Sequence, residues 1–215
     1  MDWYNQYHNG VPVHNTILAA FAQSLRPYSS NIDRDLILAI FRASPELVAD
    51  YFFKKTAFTF APKLTATWIG YASFLFEAVK LPLPEFFGAN DGYADVPPPA
   101  SLLVESMLPM PLTQNILSKC LWESPGIVGF FAIRILVLAL QKLKTCLRMF
   151  REAGQERASG LWEEAADRLV TEFCSRIPKA QDVVSAAQKA RQNQPMQREA
   201  VLKLLSLYHE VLPED

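Results

Sequence analysis

Few residues in this chain have the type and spacing that a reacting centre requires. The three histidines, His8, His14 and His209, lie towards the two ends of the sequence, and none has a metal-ligand spacing such as HExxH. A G-x-S-x-G elbow, a Walker-type loop and a GxGxxG turn are also missing from the sequence. His209 beside Glu210 could act as a general base, but a surface histidine near a helix C-terminus explains the pair better. We therefore expect no enzyme, no metal, no cofactor and no small-molecule substrate.

Adjacent acids are the remaining catalytic candidates. Glu163 and Glu164 follow one another in a helical pattern, and neighbouring residues on a helix point in different directions. Paired acid–base chemistry needs carboxylates that converge. We therefore interpret these two residues as part of a solvated helix face.

A basic run is the strongest binding signal in the sequence. Within one helical pattern stand Lys142, Lys144, Arg148, Arg151 and Arg157, accompanied by two acids. Lys144, Arg148 and Arg151 recur at i, i+4 and i+7, so a helix would carry them on one face. Such a ridge could contact RNA phosphates weakly and without sequence preference, in a salt-sensitive manner. The alternative is the solvated side of a long helix.

The second candidate for binding is the aromatic pair Phe86 and Phe87. The pair lies in residues 82–99, a proline-rich irregular segment that ends in three consecutive prolines. Irregular segments of this length are usually functional or flexible. The pair could anchor the segment or bind another chain. We predict that this segment separates two halves of the protein.

A long helix over 124–152 is the element that would position the basic run. Ser124 and Pro125 predict its start, as an N-cap and a first helical residue. Residues 127–140 are apolar on nearly every side, which predicts burial, and the second half is amphipathic. The apolar run is shorter than the roughly 20 residues that span a bilayer, and Arg134 interrupts it. We expect no membrane contact.

The rest of the chain reads as short helices separated by prolines, of which there are 15 against 8 glycines. We place three helix starts at Asn15, Asn31 and Pro62. About ten helices and no convincing strand predict an all-α fold. An irregular α-solenoid of the HEAT or armadillo type fits this pattern, and a closed helix bundle is the alternative. We expect an extended arm over 1–14 and a helical-repeat domain over 15–215.

Composition narrows the function further. The net charge is −1 and the isoelectric point is about 6.3, which excludes a simple basic nucleic-acid binder. The three cysteines lie far apart in apolar helical patterns. They are typical of small buried side chains in a reducing compartment.

Two stretches resemble a known family. The first is 46–88, ELVADYFFKKTAFTFAPKLTATWIGYASFLFEAVKLPLPEFFG, and the second is 103–143, with LVESMLPMPLTQNILSKCL and FFAIRILVLALQKL. Lys63, Leu64 and Trp68 are among the residues that carry the likeness. Both stretches resemble the N-terminal region of the nucleolar pre-ribosomal-associated protein 1 family, which consists of very large helical-repeat proteins.

The resemblance implies a function that the residues alone do not give. It implies a non-enzymatic scaffold domain in early large (60S) ribosomal subunit biogenesis and rRNA processing, in the nucleus and nucleolus. It implies ribosome assembly factors as protein partners, and pre-ribosomal RNA as a further one. The net charge of −1 favours protein–protein scaffolding over RNA contact. The alternative is a generic helical-repeat adaptor that is unrelated to ribosomes.

Overall fold

The computed structural model describes residues 15–55, 59–122, 126–189 and 195–212. Within these ranges the chain forms ten α-helices and one short 3₁₀ helix, Glu85–Gly88, and no strand. The helices are α1 (Thr16–Ser24), α2 (Asn31–Ala43), α3 (Glu46–Lys54), α4 (Ala66–Lys80), α5 (Ala100–Met107), α6 (Gln114–Trp122), α7 (Gly126–Arg157), α8 (Leu161–Arg176), α9 (Ala180–Lys189) and α10 (Pro195–Val211). The prediction of an all-α fold with about ten helices is confirmed. The predicted arm over 1–14 lies outside the described residues.

Side-chain caps fix where the early helices begin. The Asn15 carboxamide accepts a backbone N–H of α1 at 2.9 Å, as predicted. Ser30, and not Asn31, caps α2: its hydroxyl accepts a first-turn N–H at 3.2 Å from an extended backbone position. The predicted start of α4 at Pro62 is also wrong. Thr65 caps that helix by accepting an N–H at 3.1 Å, so the first helical residue is Ala66.

An aromatic cluster holds α2, α3 and α4 together. Phe74 of α4 lies 6.3 Å from Phe41 of α2 and 5.6 Å from Phe52 of α3, measured between ring centroids. Tyr51 packs edge-on against Phe74 at 5.9 Å. All four side chains are buried. Aromatic pairs at these separations add stabilisation beyond the area that they bury, so this cluster forms the core of the N-terminal helices.

The long helix α7 is central to the fold. It packs against α4, α5, α6, α8 and α10. Its first half is enclosed, with Val128 and Leu136 inaccessible to solvent, and its second half turns only one side inwards, through residues such as Leu143 and Phe150. The predicted division into a buried half and an amphipathic half is confirmed. The predicted cap at 124–125 lies outside the described residues.

By length and composition alone, α7 could cross a bilayer. Within the protein, however, more than half of its most apolar 18-residue window is buried against other helices. Burial on several sides is the expected environment of a helix that is apolar all round. The apolar character of α7 is therefore accounted for by its packing.

Packing connects helices on both sides of the segment 82–99. Helix α5 contacts α3 as well as α8, and α4 contacts α7. Helix α6 contacts α9, and α9 contacts α10. The segment itself contains the 3₁₀ helix and runs towards the C-terminal end of α7, where Arg157 bonds to it. The division into two halves stays a prediction.

Candidate functional site

The predicted basic ridge lies on the exposed face of α7. Lys144, Arg148 and Arg151 are all exposed, on one side of the helix. The Lys144 ammonium forms an ion pair with Glu210 of α10, and Arg148 lies 3.8 Å from Glu152 one turn along α7. Among the described residues, Arg151 has no ion-pair partner. Internal carboxylates therefore partly neutralise the ridge.

Lys142 does not belong to the exposed ridge, because its ammonium turns inwards. Its Nζ donates hydrogen bonds to the carbonyl oxygens of Val79 at 3.3 Å and Ser106 at 2.8 Å, at the C-terminal ends of α4 and α5. Burial lowers the pKa of Lys142 to about 7, and the neighbouring Cys146 opposes that shift. The spacing in the sequence could have indicated this inward position. Cys146 and Met149 follow Lys142 at i+4 and i+7, on the same helix face, and both are buried.

Arg157 fastens the proline-rich segment to the end of α7. Its guanidinium donates a hydrogen bond to the Tyr93 carbonyl oxygen and lies 3.3 Å from the Asp95 carboxylate. The Tyr93 hydroxyl in turn donates to Glu152 at 3.0 Å. Burial, followed by this bond to Glu152, raises the pKa of Tyr93 to about 12. In this arrangement Arg157 is occupied by contacts within the protein.

Phe86 and Phe87 have different environments. Phe87 is fully buried, 5.2 Å from the ring of Phe150 and 6.1 Å from that of Trp162. Phe86 is 38% exposed and packs edge-on against Tyr93 at 5.1 Å. Both phenylalanines have positive φ angles, 49° and 53°, which are uncommon for residues with a side chain. The pair was expected either to anchor the segment or to bind another chain. The structure supports the role of an anchor for Phe87, whereas Phe86 presents part of its side chain to solvent.

A groove of about 620 Å³ lies between the C-terminal half of α7 and the first half of α8. Apolar residues, including Leu147, Phe150 and Val170, line it together with the small residues of the turn between the two helices. Arg151 lies on the α7 side, and Glu163 and Asp167 lie on the α8 side. We name this feature the α7–α8 groove. It combines one residue of the predicted ridge with two acids, Glu163 and Asp167, that were not predicted as a binding pair from the sequence.

Interactions at both ends of α8 hold its wall of the groove in place. Near the N-terminal end of α8, Trp162 is fully buried against the rings of Phe87 and Phe150. At the other end, Arg176 donates to Glu105 at 2.7 Å and to the Leu108 carbonyl oxygen at 2.8 Å. Burial raises the pKa of Glu105, although the Arg176 charge acts in the opposite direction. The groove is therefore built on fixed elements.

The acids missed in the sequence had a recognisable spacing. Glu163 and Asp167 are four residues apart and share one face of α8, whereas the catalytic candidate in the sequence was the adjacent pair Glu163–Glu164. Glu164 instead pairs with Arg168 at 2.8 Å, as expected for a solvated face. The run Ala158–Ser159–Gly160 could have indicated a tight helix hairpin beside them.

The described residues contain no group of three His, Cys, Asp or Glu side chains that could hold a metal ion. His209 lies exposed in the last turn of α10, consistent with the surface position expected for it. His8 and His14 lie outside the described ranges. The candidate site therefore consists of the α7 ridge, the α7–α8 groove and Phe86.

Comparison with known proteins relates the chain to ribosome assembly. Residues 1–71 match the family described as Npa1, ribosome 60S biogenesis N-terminal. Nucleolar pre-ribosomal-associated protein 1 of Saccharomyces cerevisiae is 30% identical over 167 residues, which cover 77% of this chain and 9% of that protein. The chain thus spans only a small part of its relative's length. No solved structure matches the chain. These matches confirm the resemblance found in the sequence, which is to the N-terminal region of the nucleolar pre-ribosomal-associated protein 1 family.

Proposed function

We propose that this chain is a non-enzymatic scaffold domain that acts in early 60S ribosomal subunit biogenesis and rRNA processing, in the nucleolus. The observation that carries the proposal is the 30% identity over 167 residues to a pre-ribosomal-associated protein. The match to a 60S biogenesis family over 1–71 supports the same function. On this proposal the chain binds other assembly factors through exposed helix surfaces.

The scaffold function suits an extended helical array. We propose that the helices form part of an irregular α-solenoid of the HEAT or armadillo type in the longer protein. Helices adjacent in the chain pack together in the pairs α7–α8 and α9–α10, and α10 packs against α7, as successive helix pairs of such an array do. Small-angle X-ray scattering of this chain tests the idea. A radius of gyration near the compact value of about 17 Å would favour the closed bundle instead.

Contact with pre-ribosomal RNA is a second proposed activity. The exposed positions of Lys144, Arg148 and Arg151 on one face support it. Because Glu210 and Glu152 already pair with the first two, phosphates would have to compete with carboxylates, and binding would be weak and salt-sensitive. Changing all three residues to glutamate should abolish RNA retention at low salt. RNA retention that does not depend on the triple variant or on salt would exclude the ridge as an RNA contact.

Affinity purification of the tagged chain from cells tests the main proposal. We expect large-subunit precursor particles to copurify with the chain, and the fluorescently tagged chain to concentrate in the nucleolus. Recovery of other protein complexes without precursor particles would support the alternative, a generic adaptor. The double variant Lys144→Glu with Arg148→Glu provides an internal comparison, because it changes two ridge residues that do not line the α7–α8 groove: it should weaken RNA contacts while retaining protein partners.

A further inference from the structure

We propose that the α7–α8 groove binds an amphipathic α-helix of a partner protein, one whose apolar stripe is flanked along one edge by basic residues. The inference rests on the proposed scaffold function and assigns a surface and a partner chemistry to it. The groove joins an apolar floor to charged rims of opposite sign.

The dimensions of the groove suit a short helix. It runs along α7 from Leu147 to Gln155, a length of about 12 Å at the helical rise per residue, or about two turns of a partner helix. Near the hairpin turn its lining residues are small, including Gly154 and Gly160, and a Cβ built at Gly160 would meet no atom within 4 Å. Small residues let two helices approach closely. The floor between the rims is apolar, through the half-buried side chains of Leu147 and Val170.

In the part of the chain that the structure describes, the charges at the rim have no ion-pair partner, unlike their neighbours. Across the same part of α7, Lys144, Arg148 and Arg157 all pair with carboxylates. In contrast, Arg151 on one rim has no ion-pair partner among the described residues. The same holds for Glu163 and Asp167 on the opposite rim. These three charges border the apolar floor, so a bound helix could pair with all of them without displacing an internal contact.

The arrangement of those charges specifies the partner. Glu163 and Asp167 lie four residues apart on one face of α8, about 6 Å from each other. Lysines or arginines with the same i, i+4 spacing along one edge of a bound helix would face them. An acidic residue on the other edge would face Arg151. RNA fits this groove poorly, because two carboxylates on one wall repel phosphates at close range.

The test measures binding of defined probes to the 215-residue chain by fluorescence anisotropy at low salt. The first probe is a synthetic helix of about fifteen residues with a leucine stripe and a lysine edge at i, i+4 spacing. The second carries glutamates in place of the lysines, and the third is a single-stranded RNA oligonucleotide. Two double variants are compared, Glu163→Lys with Asp167→Lys, and a control with the same charge change, Asp35→Lys with Glu199→Lys. The control residues are exposed on α2 and at the start of α10.

We expect the lysine-edged helix to bind more tightly than the glutamate-edged one, and the groove variant to weaken its binding by about tenfold. The control variant should leave that affinity within about twofold. Equal affinity for the two peptides, or equal losses in the two variants, would overturn the inference. Binding of the RNA alone at this surface, abolished by Arg151→Glu, would also overturn it. Circular dichroism of each variant confirms that its helices are intact, and copurification with precursor particles tests the scaffold function separately.

Discussion

Replacing Lys142 by methionine should change the stability of the protein in a way that depends on pH. Methionine fills a similar volume but has no charge and donates no hydrogen bond. At neutral pH the change loses two bonds, to the carbonyl oxygens of Val79 and Ser106, each worth about 1 kcal/mol. It also removes the cost of holding an ammonium group away from water. The two effects oppose each other.

The direction of the pH dependence follows from the shifted pKa. Burial lowers the pKa of Lys142 in the folded protein to about 7, whereas an unfolded lysine titrates near pH 10.4. Between these pH values the unfolded chain binds one proton more than the folded protein. The contribution of Lys142 to the free energy of unfolding therefore increases as pH rises. From pH 6 to pH 8.5 this group raises the free energy of unfolding of the parent protein by about 2 kcal/mol. The Lys142→Met variant lacks this increase.

Urea denaturation of both proteins at pH 6, 7, 8 and 8.5 measures the difference. We expect Lys142→Met to match or exceed the parent at pH 6 and to be less stable than the parent at pH 8.5. Lys63→Met, at an exposed lysine, serves as the control and should give a difference independent of pH. Parallel stability curves for the parent and Lys142→Met over this range would refute the reasoning, because they would mean that the ammonium is well solvated.

Three further substitutions and one control, Gly160→Ala, test the packing and capping of the helices, each by chemical denaturation. Gly70→Ala should destabilise the protein by about 2 kcal/mol, because the added Cβ would collide with the Tyr28 carbonyl oxygen; Gly160→Ala, with open space around it, should be nearly neutral. Thr65→Ala removes the cap of α4 and should cost about 1 kcal/mol. Phe87→Ala empties a fully buried site and should cost about 3–5 kcal/mol; a loss below 1 kcal/mol would show that the segment is not anchored there.

Periodicity within single helices could be read from the sequence, and it predicted the long helix and its two halves. Start positions were less certain, since Ser30 and Asn31 can both cap a helix and only the backbone conformation decides between them. The structure also places Lys142 away from the ridge, because its carbonyl partners belong to helices distant in sequence. The position of Lys142 within the basic run could not reveal these two carbonyl partners.

The candidate site was predictable only in part. Lys144, Arg148 and Arg151 are exposed on one face, as their spacing predicted. The α7–α8 groove could not be derived from the sequence, because it depends on how the hairpin turn at Ala158 places α8 beside α7, and Ala158 adopts a positive φ of 47°. Function came from the resemblance of whole phrases to a family, and the chemistry of individual residues did not supply it.

The central position of α7 has a consequence for synthesis of the chain. Helices α4, α5 and α6 leave the ribosome before the helix against which they pack, and α10 follows last. Until translation has passed Arg157, the sides of those earlier helices that face α7 have no surface to cover them. The nascent chain must therefore remain unaggregated over this interval, and a product that terminates before residue 126 would expose the same apolar surfaces permanently.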